Sequence, residues 1–502
     1  MLSTETTDVD VIVVGAGPSG LATALLLAGR NVSVAVIDPN RIVCQHPRAT
    51  HLDDETMRTL QTLGAQDMEP QFLQQTGWTL HAPDGREFLE LSMPAYETEQ
   101  GWFTDYMFHQ PDFESRLRGL LADKPDAHLW LGWSAEQLEQ DDDDGVTLTV
   151  RDRSTGAKEV LTAKYLVGAD GAGSFVRRAI HADVEDLQGT QRSLIVDIHP
   201  FKHPESLPKR TGFVLCEREL PVVYVPIFPP KLRFEFMLSA SDDAHDLERP
   251  ESVYRLLGRW LEPGSYRIMR SDTYEWHAHL VRGWRSGRVL LAGDAAHEMP
   301  PMLGQGMCSG LRDAMNLAWK LAFVVTGLSP ATILDSYESE RSPHVRPLIM
   351  ESARQSNIIE SIGRGAEPPV SDGPQVIERH HVPLGPGLLD EASRSASVLA
   401  PQPRGTDGDR LDDATGYSFV VLGHPDVIAS VSDVVRSTWS ELGAVVLTSS
   451  GEAVESWLAK HGAKAAIIRP DRYVFAMSGD TAELEHASLQ LLNVVRGTGI
   501  PA

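Results

Sequence analysis

Three glycines and one aspartate near the start of the chain have the types and spacing of a binding site. Gly15, Gly17 and Gly20 follow a short β-branched run and open a helical stretch, and the next apolar run ends at Asp38. Gly15 permits a tight turn, Gly17 lets the backbone approach a pyrophosphate, and Gly20 lets helix and strand pack closely. The helix N-terminus attracts phosphates, and Asp38 can accept hydrogen bonds from a ribose diol. The pattern predicts a dinucleotide site.

A second strand-to-helix turn lies in residues 288–320, far from the first in sequence. The apolar run Val289–Ala292 leads into it and the helical segment Leu311–Val325 follows it. Its turn residues are Gly293, Asp294, Pro300, Pro301, Gly304, Gly306 and Gly310. A strand that passes through a tight backbone turn into a helix also builds an anion or dinucleotide site. If both turns bind one ligand, the ligand is long and its domain is discontinuous.

Composition and charge narrow the class of protein. The 502 residues have a formal net charge of −25, which argues against nucleic acid or an anionic membrane as partner. We find no apolar run near the ~18 residues of a spanning helix and no signal-peptide pattern, so we expect a cytoplasmic protein. Three well-separated cysteines, Cys44, Cys216 and Cys308, predict neither disulfides nor a metal site.

The elements that must position these residues predict an α/β fold with several domains. Residues 190–280 change to β-rich runs separated by Pro-rich turns, residues 363–415 are rich in Gly, Pro, Ser and Asp, and strands alternate with helices from Tyr417. The predicted boundaries are 1–75, 105–185 and 281–365 for a discontinuous Rossmann-like domain, 76–104 and 186–280 for an inserted β-sheet substrate domain, 366–415 for a linker, and 416–502 for a C-terminal α/β domain.

Three ordered motifs together resemble the class A flavoprotein aromatic monooxygenases. They are the GxGxxG of Gly15–Gly20, the Gly-Ala-Asp-Gly of Gly168–Gly171 and the Gly-Asp-Ala-Ala-His of Gly293–His297. Their order and spacing match the family over residues 9–350, and Arg233–Leu238 is similar to the 3-(3-hydroxyphenyl)propionate hydroxylase branch. The C-terminal domain resembles the thioredoxin-like tail of phenol and polyketide hydroxylases. It contains no cysteine, so the resemblance implies packing or dimerisation there rather than redox chemistry.

The resemblance implies an FAD-binding Rossmann-like domain and assigns its contacts. The implied cofactor-binding residues are Gly15, Gly17, Gly20 and Asp38 at the ADP half; Arg48 and Gln110 near the pyrophosphate and ribityl chain; Asp170 of the middle motif, tied to both FAD and NAD(P)H binding; Asp294 near the ribityl–phosphate region; Pro300 and Pro301 at the turn beside the flavin ring; and the backbone of Gly306, Met307 and Cys308 at its pyrimidine edge. Gly171, Gly293 and Gly304 of the same motifs and turn complete the implied set. Cys308 departs from the family, in which Asn is usual at this position.

The family's activity is hydroxylation of a phenolic substrate with O₂ through a flavin C4a-hydroperoxide. NADPH or NADH binds transiently and reduces the FAD, which fits the lack of a second GxGxxG. A base near the substrate hydroxyl is useful, and the candidates are Tyr224, His277 and His297, although each also fits a structural role. The sequence does not choose between a monomer and a homodimer.

Aromatic residues of the β-rich region could form a wall of the substrate pocket. The candidates are Phe213, Phe236 and Trp276. Because side chains alternate along a strand, Phe234 and Phe236 share one face and Glu235 takes the other. Which face lines the pocket stays open.

Two other readings remain open. One is a monooxygenase that hydroxylates a polycyclic polyketide or N-heteroaromatic compound, opens its ring or performs Baeyer–Villiger chemistry. The other is an FAD-dependent reductase or dehydrogenase of similar fold that inserts no oxygen. Stoichiometric O₂ uptake and an oxygenated product separate the second reading from a monooxygenase.

Overall fold

The computed structural model describes residues 7–141, 145–369, 373–390, 392–393, 395–404, 408–448 and 451–498. The strands are β1 (Thr7–Val14), β2 (Val34–Asp38), β3 (His51–Asp53), β4 (Leu73–Gln74), β5 (Gly77–His81), β6 (Glu87–Ser92), β7 (Asp105–Met107), β8 (Ala127–Leu131), β9 (Trp133–Asp141), β10 (Gly145–Asp152), β11 (Lys158–Gly168), β12 (Asp183–Pro200), β13 (Thr211–Leu215), β14 (Val222–Pro226), β15 (Leu232–Leu238), β16 (Tyr266–Arg282), β17 (Arg285–Ser286), β18 (Val289–Leu291), β19 (His297–Glu298), β20 (Gln375–Val376), β21 (Val420–Gly423), β22 (Val445–Thr448), β23 (Ala465–Ile468) and β24 (Val474–Ser478).

The helices complete the set of elements. They are α1 (Pro18–Ala28), α2 (Asp54–Leu63), α3 (Gln110–Ala122), α4 (Phe175–Ala179), α5 (Ala244–Leu247), α6 (Pro250–Leu257), α7 (Gly306–Val325), α8 (Ser336–Gly363), α9 (Leu411–Thr415), α10 (Pro425–Ala429), α11 (Asp433–Glu441), α12 (Glu452–Lys460) and α13 (Thr481–Val495). Among the described residues, no helix combines the length and apolar character needed to cross a membrane. The mixed α/β fold predicted from the sequence is confirmed.

The first sheet gathers the three sequence motifs at one edge. Its parallel strands lie in the order β18-β11-β1-β2-β8, and β17, β9 and β10 pair antiparallel at its margins. β2 is buried along its whole length, as expected of a parallel strand that is covered on both faces. β1, β11 and β18 are neighbours, so the turns that leave their carboxyl ends lie side by side. Ligands bind at this edge of α/β sheets.

The second sheet is formed mainly by the predicted insert. In the described residues it has nine strands in the order β19-β16-β12-β15-β14-β13-β5-β6-β20. The predicted strand Ser193–Ile198 is part of the much longer β12, which pairs with the equally long β16. Helix α6 covers one face of this sheet together with an aromatic cluster. The other face is turned toward the first sheet and helps to enclose the candidate site.

The C-terminal unit has a four-stranded sheet in the order β22-β21-β23-β24. Arg469, which follows β23, donates hydrogen bonds to both carboxylate oxygens of Glu340 on α8, at 2.8 and 2.6 Å. Lys320 on α7 donates to the same carboxylate at 2.7 Å. Burial opposes the charge on Glu340, but these two cations outweigh it and lower its pKa to about 2. A buried ion pair therefore joins the C-terminal unit to α8, and a second ion pair to the same carboxylate joins α8 to α7.

The segment predicted as a linker, residues 366–415, contains folded structure. β20 pairs with β6 at the edge of the second sheet. Arg58 on α2 donates two hydrogen bonds of 2.9 Å to Asp412 on α9. Residues 377–382 line the cavity described below. This segment therefore contributes to the core and to the candidate site as well as connecting two units.

Candidate active site

A large cavity lies between the first and second sheets. Its volume is about 1020 Å³, at the upper end of the ~300–1000 Å³ of ordinary ligand pockets. It extends from the turn after β1, past the turn before α7, to the inner face of the second sheet. A cavity of this size and length suits a long ligand with a smaller molecule at one end.

The turn after β1 has the geometry of a pyrophosphate site. Gly15 has a φ of +108°, and a Cβ there would lie 2.2 Å from the carbonyl oxygen of Ala169. Gly17 is the N-cap of α1 and makes no side-chain cap, while a Cβ on it would meet no atom within 4 Å. Gly17, Pro18 and Ser19 line the cavity, so the N-terminus of α1 opens onto it, where an anion binds well; Pro18 has no N–H, and Ser19 supplies the first one of the helix. Gly20 does not line the cavity; a Cβ there would lie 2.0 Å from the Gly15 oxygen, so Gly20 is a packing glycine.

Asp38 lies at the end of β2 and lines the same part of the cavity. Its carboxylate accepts hydrogen bonds from the backbone N–H groups of Ala16 and Asn40, both at 2.8 Å. These bonds fix the carboxylate beside the Gly15–Gly20 turn. A carboxylate has about four acceptor positions, so two remain for a ribose diol.

Ser19 joins the two glycine-rich turns that are far apart in sequence. A Cβ on Gly293 would lie 2.6 Å from Ser19 Oγ, and one on Gly310 would lie 2.2 Å from the same atom. Side chains at those two positions would displace Ser19, which lies in the first turn of α1. The two turns therefore pack directly against each other through Ser19.

The middle of the cavity contains the residues predicted near a pyrophosphate and ribityl chain. Arg48 and Asp294 line it as a loose ion pair with 3.8 Å between Nη1 and Oδ2. Gln110 Oε1 accepts hydrogen bonds from the backbone N–H groups of Arg48 and Ala49, both at 2.9 Å. Asp170 accepts from the Ser174 hydroxyl and from Val176 N, so it fixes the start of α4. Gly171 lines the cavity beside it.

The turn before α7 forms the wall that faces the second sheet. Pro300, Pro301, Gly304, Gly306 and Met307 line the cavity. The N-cap residue of α7 makes no side-chain cap, so this second helix also points N–H groups toward the cavity.

Cys308 and Gly293 lie behind this lining. The Cys308 thiol is buried and makes long contacts to the carbonyl oxygens of His51, at 3.7 Å, and Gly304, at 3.6 Å. Gly293 has a φ of +63° and packs on Ser19. The Cys308 side chain is therefore directed away from the cavity, and only its backbone is available for the predicted contact.

A buried charge cluster beside this turn was not predicted from the sequence. His51 lies between Asp105, which its Nε2 contacts, and the carbonyl oxygen of Gly304, 3.2 Å from its Nδ1. Burial opposes a charge on His51, but Asp105 outweighs it and raises the pKa to about 10. Arg379, from the predicted linker, also binds Asp105. The cluster fixes the backbone of the turn before α7, and its members are too far apart in sequence to form a visible motif.

The inner face of the second sheet carries different residues from those predicted. Trp276 lines the cavity, together with Tyr274 and Glu235. Phe213 and Phe236 lie in the aromatic cluster on the opposite face. The alternation on β15 was predicted correctly, but it points the phenylalanines away from the cavity and Glu235 into it. The aromatic wall of Phe213 and Phe236 was therefore a wrong prediction.

Of the three candidate bases, only His277 reaches the cavity. Its ring stacks on His279 with 4.7 Å between centroids, and its Nε2 lies 3.6 Å from Glu275. Tyr224 is buried in the outer aromatic cluster and donates to the Pro208 carbonyl oxygen at 2.8 Å. His297 is fully buried and contacts Asp313 at 2.7 Å. Tyr224 and His297 therefore have structural partners and no access to the cavity.

Comparison with known families identifies the class of this chain. The chain matches the FAD binding domain family over residues 8–352 and the HcaD C-terminal domain family over residues 398–493. The chain therefore belongs to the flavoprotein monooxygenase family that contains this FAD binding domain. The two uncapped helix N-termini and the glycine backbones around the cavity fit FAD.

Relatives with established names narrow the class to aromatic hydroxylases. The chain is 32% identical to a probable NADH-specific resorcinol 4-hydroxylase of Rhodococcus jostii, over 97% of this chain and 95% of the relative. It is 31% identical to the 3-(3-hydroxy-phenyl)propionate/3-hydroxycinnamic acid hydroxylase of Escherichia coli, over 93% of this chain and 91% of the relative.

Solved structures share the fold across nearly the whole chain. The rebeccamycin biosynthetic enzyme RebC with reduced flavin has a TM-score of 0.78 at 20% identity, covering 98% of this chain and 100% of RebC. A ternary complex of aklavinone-11 hydroxylase with FAD and aklavinone has a TM-score of 0.76 at 23% identity, covering 98% and 100% of the two chains. At these identities the likeness concerns the fold alone.

Proposed function

We propose that this FAD-dependent monooxygenase uses NADH and O₂ to hydroxylate a small, neutral phenol of the resorcinol type. The observation that carries the proposal is the chemistry of the cavity where it meets the second sheet. Val214, Val223 and Val225 supply an apolar surface there, and Trp276 supplies an aromatic one. Such a surface favours an aromatic ring. NADH as the donor is supported by the name of the 32% identical relative.

The charge of the lining favours a neutral substrate over an arylpropionate. Acidic side chains outnumber arginines among the described lining residues. Arg379 and Arg312 already contact carboxylates, through Asp105 and Asp53 respectively. A substrate carboxylate would therefore meet negatively charged side chains, together with arginines that are already paired with carboxylates of the protein. Burying an uncompensated charge is costly, so the carboxylated substrate is disfavoured.

The protein's own part in the reaction is to bind, orient and exclude water. The turn Gly15–Gly20 and Asp38 would hold the adenosine half of FAD, Arg48 and Asp294 the middle, and the turn before α7 the flavin ring. Bound FAD supplies the redox chemistry, accepting a hydride from the nicotinamide and delivering one oxygen atom of O₂. His51 and its neighbours fix the turn beside the ring, and the apolar wall of the second sheet keeps water from the substrate.

A substrate panel tests this function. The holoenzyme is given resorcinol, 3-(3-hydroxyphenyl)propionate, a polycyclic phenol, or 1,3-dimethoxybenzene, which lacks a free hydroxyl. NADH oxidation, O₂ uptake and product mass are measured for each. We expect resorcinol to exceed the arylpropionate at least about tenfold in kcat/KM, equivalent to ~1.4 kcal/mol, and to gain one oxygen atom. The dimethoxy control should give no oxygenated product.

Other outcomes of the panel separate the alternatives. A higher kcat/KM for the arylpropionate contradicts the neutral-phenol proposal, and hydroxylation of the polycyclic phenol alone supports the polyketide reading instead. NADH oxidation with no oxygenated product from any phenol contradicts hydroxylation altogether. The cytoplasmic location stays a prediction from the sequence, and the choice between a monomer and a homodimer stays open.

A further inference from the structure

The second sheet places one carboxyl group on the apolar wall where the proposed phenol would bind. Glu235 lies at the middle of β15, opposite Val223 on β14 and Ile195 on β12. Its side chain is 8% exposed and lines the cavity. A carboxyl group in an apolar surface is costly unless it has a function or a partner, and this one is directed toward the substrate end of the cavity.

Arg233, the charged neighbour of Glu235 on β15, does not hydrogen-bond to it, so the Glu235 carboxyl group can contact a substrate. Arg233 Nη1 lies 3.7 Å from Glu235 Oε1, which is too long for a hydrogen bond. The other donors of Arg233 are directed elsewhere: Nε and Nη2 donate to Asp197 at 2.7 and 2.9 Å. The guanidinium thus keeps a positive charge near Glu235 while its short hydrogen bonds go to another carboxylate.

We propose that Glu235 is the catalytic residue that accepts the proton from the hydroxyl group of the bound phenol. The proposal rests on the proposed function. The phenolic O–H bond breaks, the proton moves to a Glu235 carboxylate oxygen, and the electron pair stays on the phenol oxygen. That oxygen then donates electron density to the ring position that receives the oxygen atom. The ring position that has gained the oxygen atom then loses its C–H proton to the second oxygen atom of O₂, which leaves as water. As the ring regains aromaticity, Glu235 returns its own proton to the phenol oxygen and ends ionised.

The surroundings of Glu235 suit a proton acceptor that works near neutral pH. The charged groups that face it are Arg233 on its own strand, Asp197 on β12 and Arg270 on β16. Burial raises the pKa of Glu235, as does Asp197, while the two arginines lower it; the result is a pKa above the usual range of a glutamic acid. A base whose pKa lies closer to the working pH transfers protons more effectively.

Two other acidic residues of the lining are less suitable. Asp105 already contacts His51 and Arg379. Glu298 also has a pKa raised by burial and by Asp294, but it lies on β19, at the edge of the sheet and near Asp294. Glu235 is therefore better placed for the ring hydroxyl than these two carboxyl groups, and Glu298 is the natural comparison.

The test uses Glu235→Gln, which keeps the shape and removes the ionisable group. The holoenzyme is assayed with resorcinol for product formation between pH 5 and pH 9. In the wild type we expect kcat to rise through an acidic limb as Glu235 ionises. In Glu235→Gln we expect kcat at neutral pH to fall about a hundredfold, the lower bound for general-base catalysis. The acidic limb should disappear, leaving a rise only at alkaline pH, where the phenol ionises by itself.

Two substrates and one control variant make the result specific. The loss in Glu235→Gln should shrink for a fluorinated resorcinol, whose hydroxyl ionises at lower pH and needs less help. Glu217→Gln makes the same change just beyond the end of β13 and outside the cavity, where Glu217 binds Arg259, and should keep the wild-type profile. FAD content and Tm of each variant separate catalysis from folding.

Several results would overturn the assignment. The assignment is contradicted if Glu235→Gln keeps the wild-type rate and the acidic limb of the pH profile. It is also contradicted if Glu298→Gln loses that acidic limb while Glu235→Gln retains it. If Glu235→Gln does not fold, Glu235→Asp is used, and a wild-type pH profile with an undiminished rate overturns the proposal while a shifted limb with a lower rate supports it. A wild-type protein that oxygenates no phenol contradicts the proposed function rather than the role of Glu235.

Discussion

The two faces of β15 differ in chemistry although they belong to one seven-residue strand. On the outer face, Phe234 and Phe236 pack with Tyr224 and Trp260 in a dry aromatic cluster. On the inner face, Arg233 and Glu235 alternate with them and are turned toward the cavity side. The outer face therefore stabilises the sheet, whereas the inner face holds other parts of the site and supplies polar chemistry. Substitutions on the two faces should separate stability from function.

The largest effect is expected from Arg233→Ala on the inner face. Arg233 is fully buried, binds Asp197, and donates to the backbone carbonyl oxygens of Pro47 and Arg48. Its removal takes both short hydrogen bonds from the buried Asp197 carboxylate and leaves it only a longer, 3.8 Å contact with Arg270, so the free energy of unfolding should fall by about 3 to 5 kcal/mol. The loop that presents Arg48 to the cavity also loses one of its anchors, although Arg270 and Gln110 still hold its backbone, so FAD content should fall. Urea denaturation and the flavin absorbance measure the two effects.

Arg210→Ala is the matched control for that experiment. Arg210 lies near the same sheet, is exposed, and donates to the carbonyl oxygen and side chain of Gln74. Exposed pairs contribute about 0 to 1 kcal/mol. Equal destabilisation by both variants would contradict the special role of the inner face.

A large loss of stability without loss of function is expected from Phe234→Ala on the outer face. This side chain is fully buried and contacts the rings of Tyr224 and Trp260. The free energy of unfolding should fall by about 3 kcal/mol, as for other large-to-small core substitutions. FAD content and the pH profile of kcat should stay unchanged at temperatures below the reduced Tm. A changed pH profile would show that the two faces are not independent.

A smaller decrease in the free energy of unfolding is expected from Tyr224→Phe. The hydroxyl of Tyr224 makes one hydrogen bond, to the Pro208 carbonyl oxygen, and the loss of such a bond costs about 1 kcal/mol. Because the hydroxyl has no access to the cavity, kcat for phenol hydroxylation and its pH dependence should match the wild type. A lost acidic limb in this variant would restore Tyr224 as a base on the substrate.

The smallest effect concerns the stability of Glu235→Gln as pH changes. The folded protein holds the Glu235 proton more tightly than the unfolded chain, because the pKa is raised on folding. Wild-type stability from this group is therefore full below the ordinary glutamic acid pKa and is lost as pH rises through the raised pKa. Glu235→Gln has no ionisable group at this position and does not lose this stability. Its free energy of unfolding relative to the wild type should therefore rise as pH increases from the ordinary glutamic acid pKa through the raised pKa of Glu235. Urea denaturation at several pH values measures the difference in free energy of unfolding between Glu235→Gln and the wild type. For Glu217→Gln, this difference should not change with pH.

Sequence alone could predict the parts of the site that depend on local backbone geometry. Gly15, Gly17 and Asp38 stand in a fixed relation because one strand, one turn and one helix connect them. The order of the three motifs also indicated that distant turns meet, because β1, β11 and β18 are neighbouring parallel strands whose turns leave at one edge of the sheet.

The other parts of the site depend on contacts between residues far apart in sequence, and such contacts leave no pattern in a short stretch of sequence. Alternation on β15 predicts that Phe234 and Phe236 share a face, but the choice of face depends on α6 and on how the sheet docks. Arg379 reaches Asp105 across 274 positions of sequence, and it lies in a segment whose composition is typical of a linker. Such partners become visible only when the chain is folded.

The contact of Ser19 with Gly293 and Gly310 also has a consequence for synthesis of the chain. The first glycine turn leaves the ribosome early, but the residues that complete its lining follow about 280 positions later. At roughly 5 to 20 residues per second, the first turn waits on the order of a quarter to one minute for its partner. During that time the nascent chain presents only the turn proposed to bind the adenosine half of FAD. We therefore expect stable loading with FAD to be a late event, which follows emergence of α7.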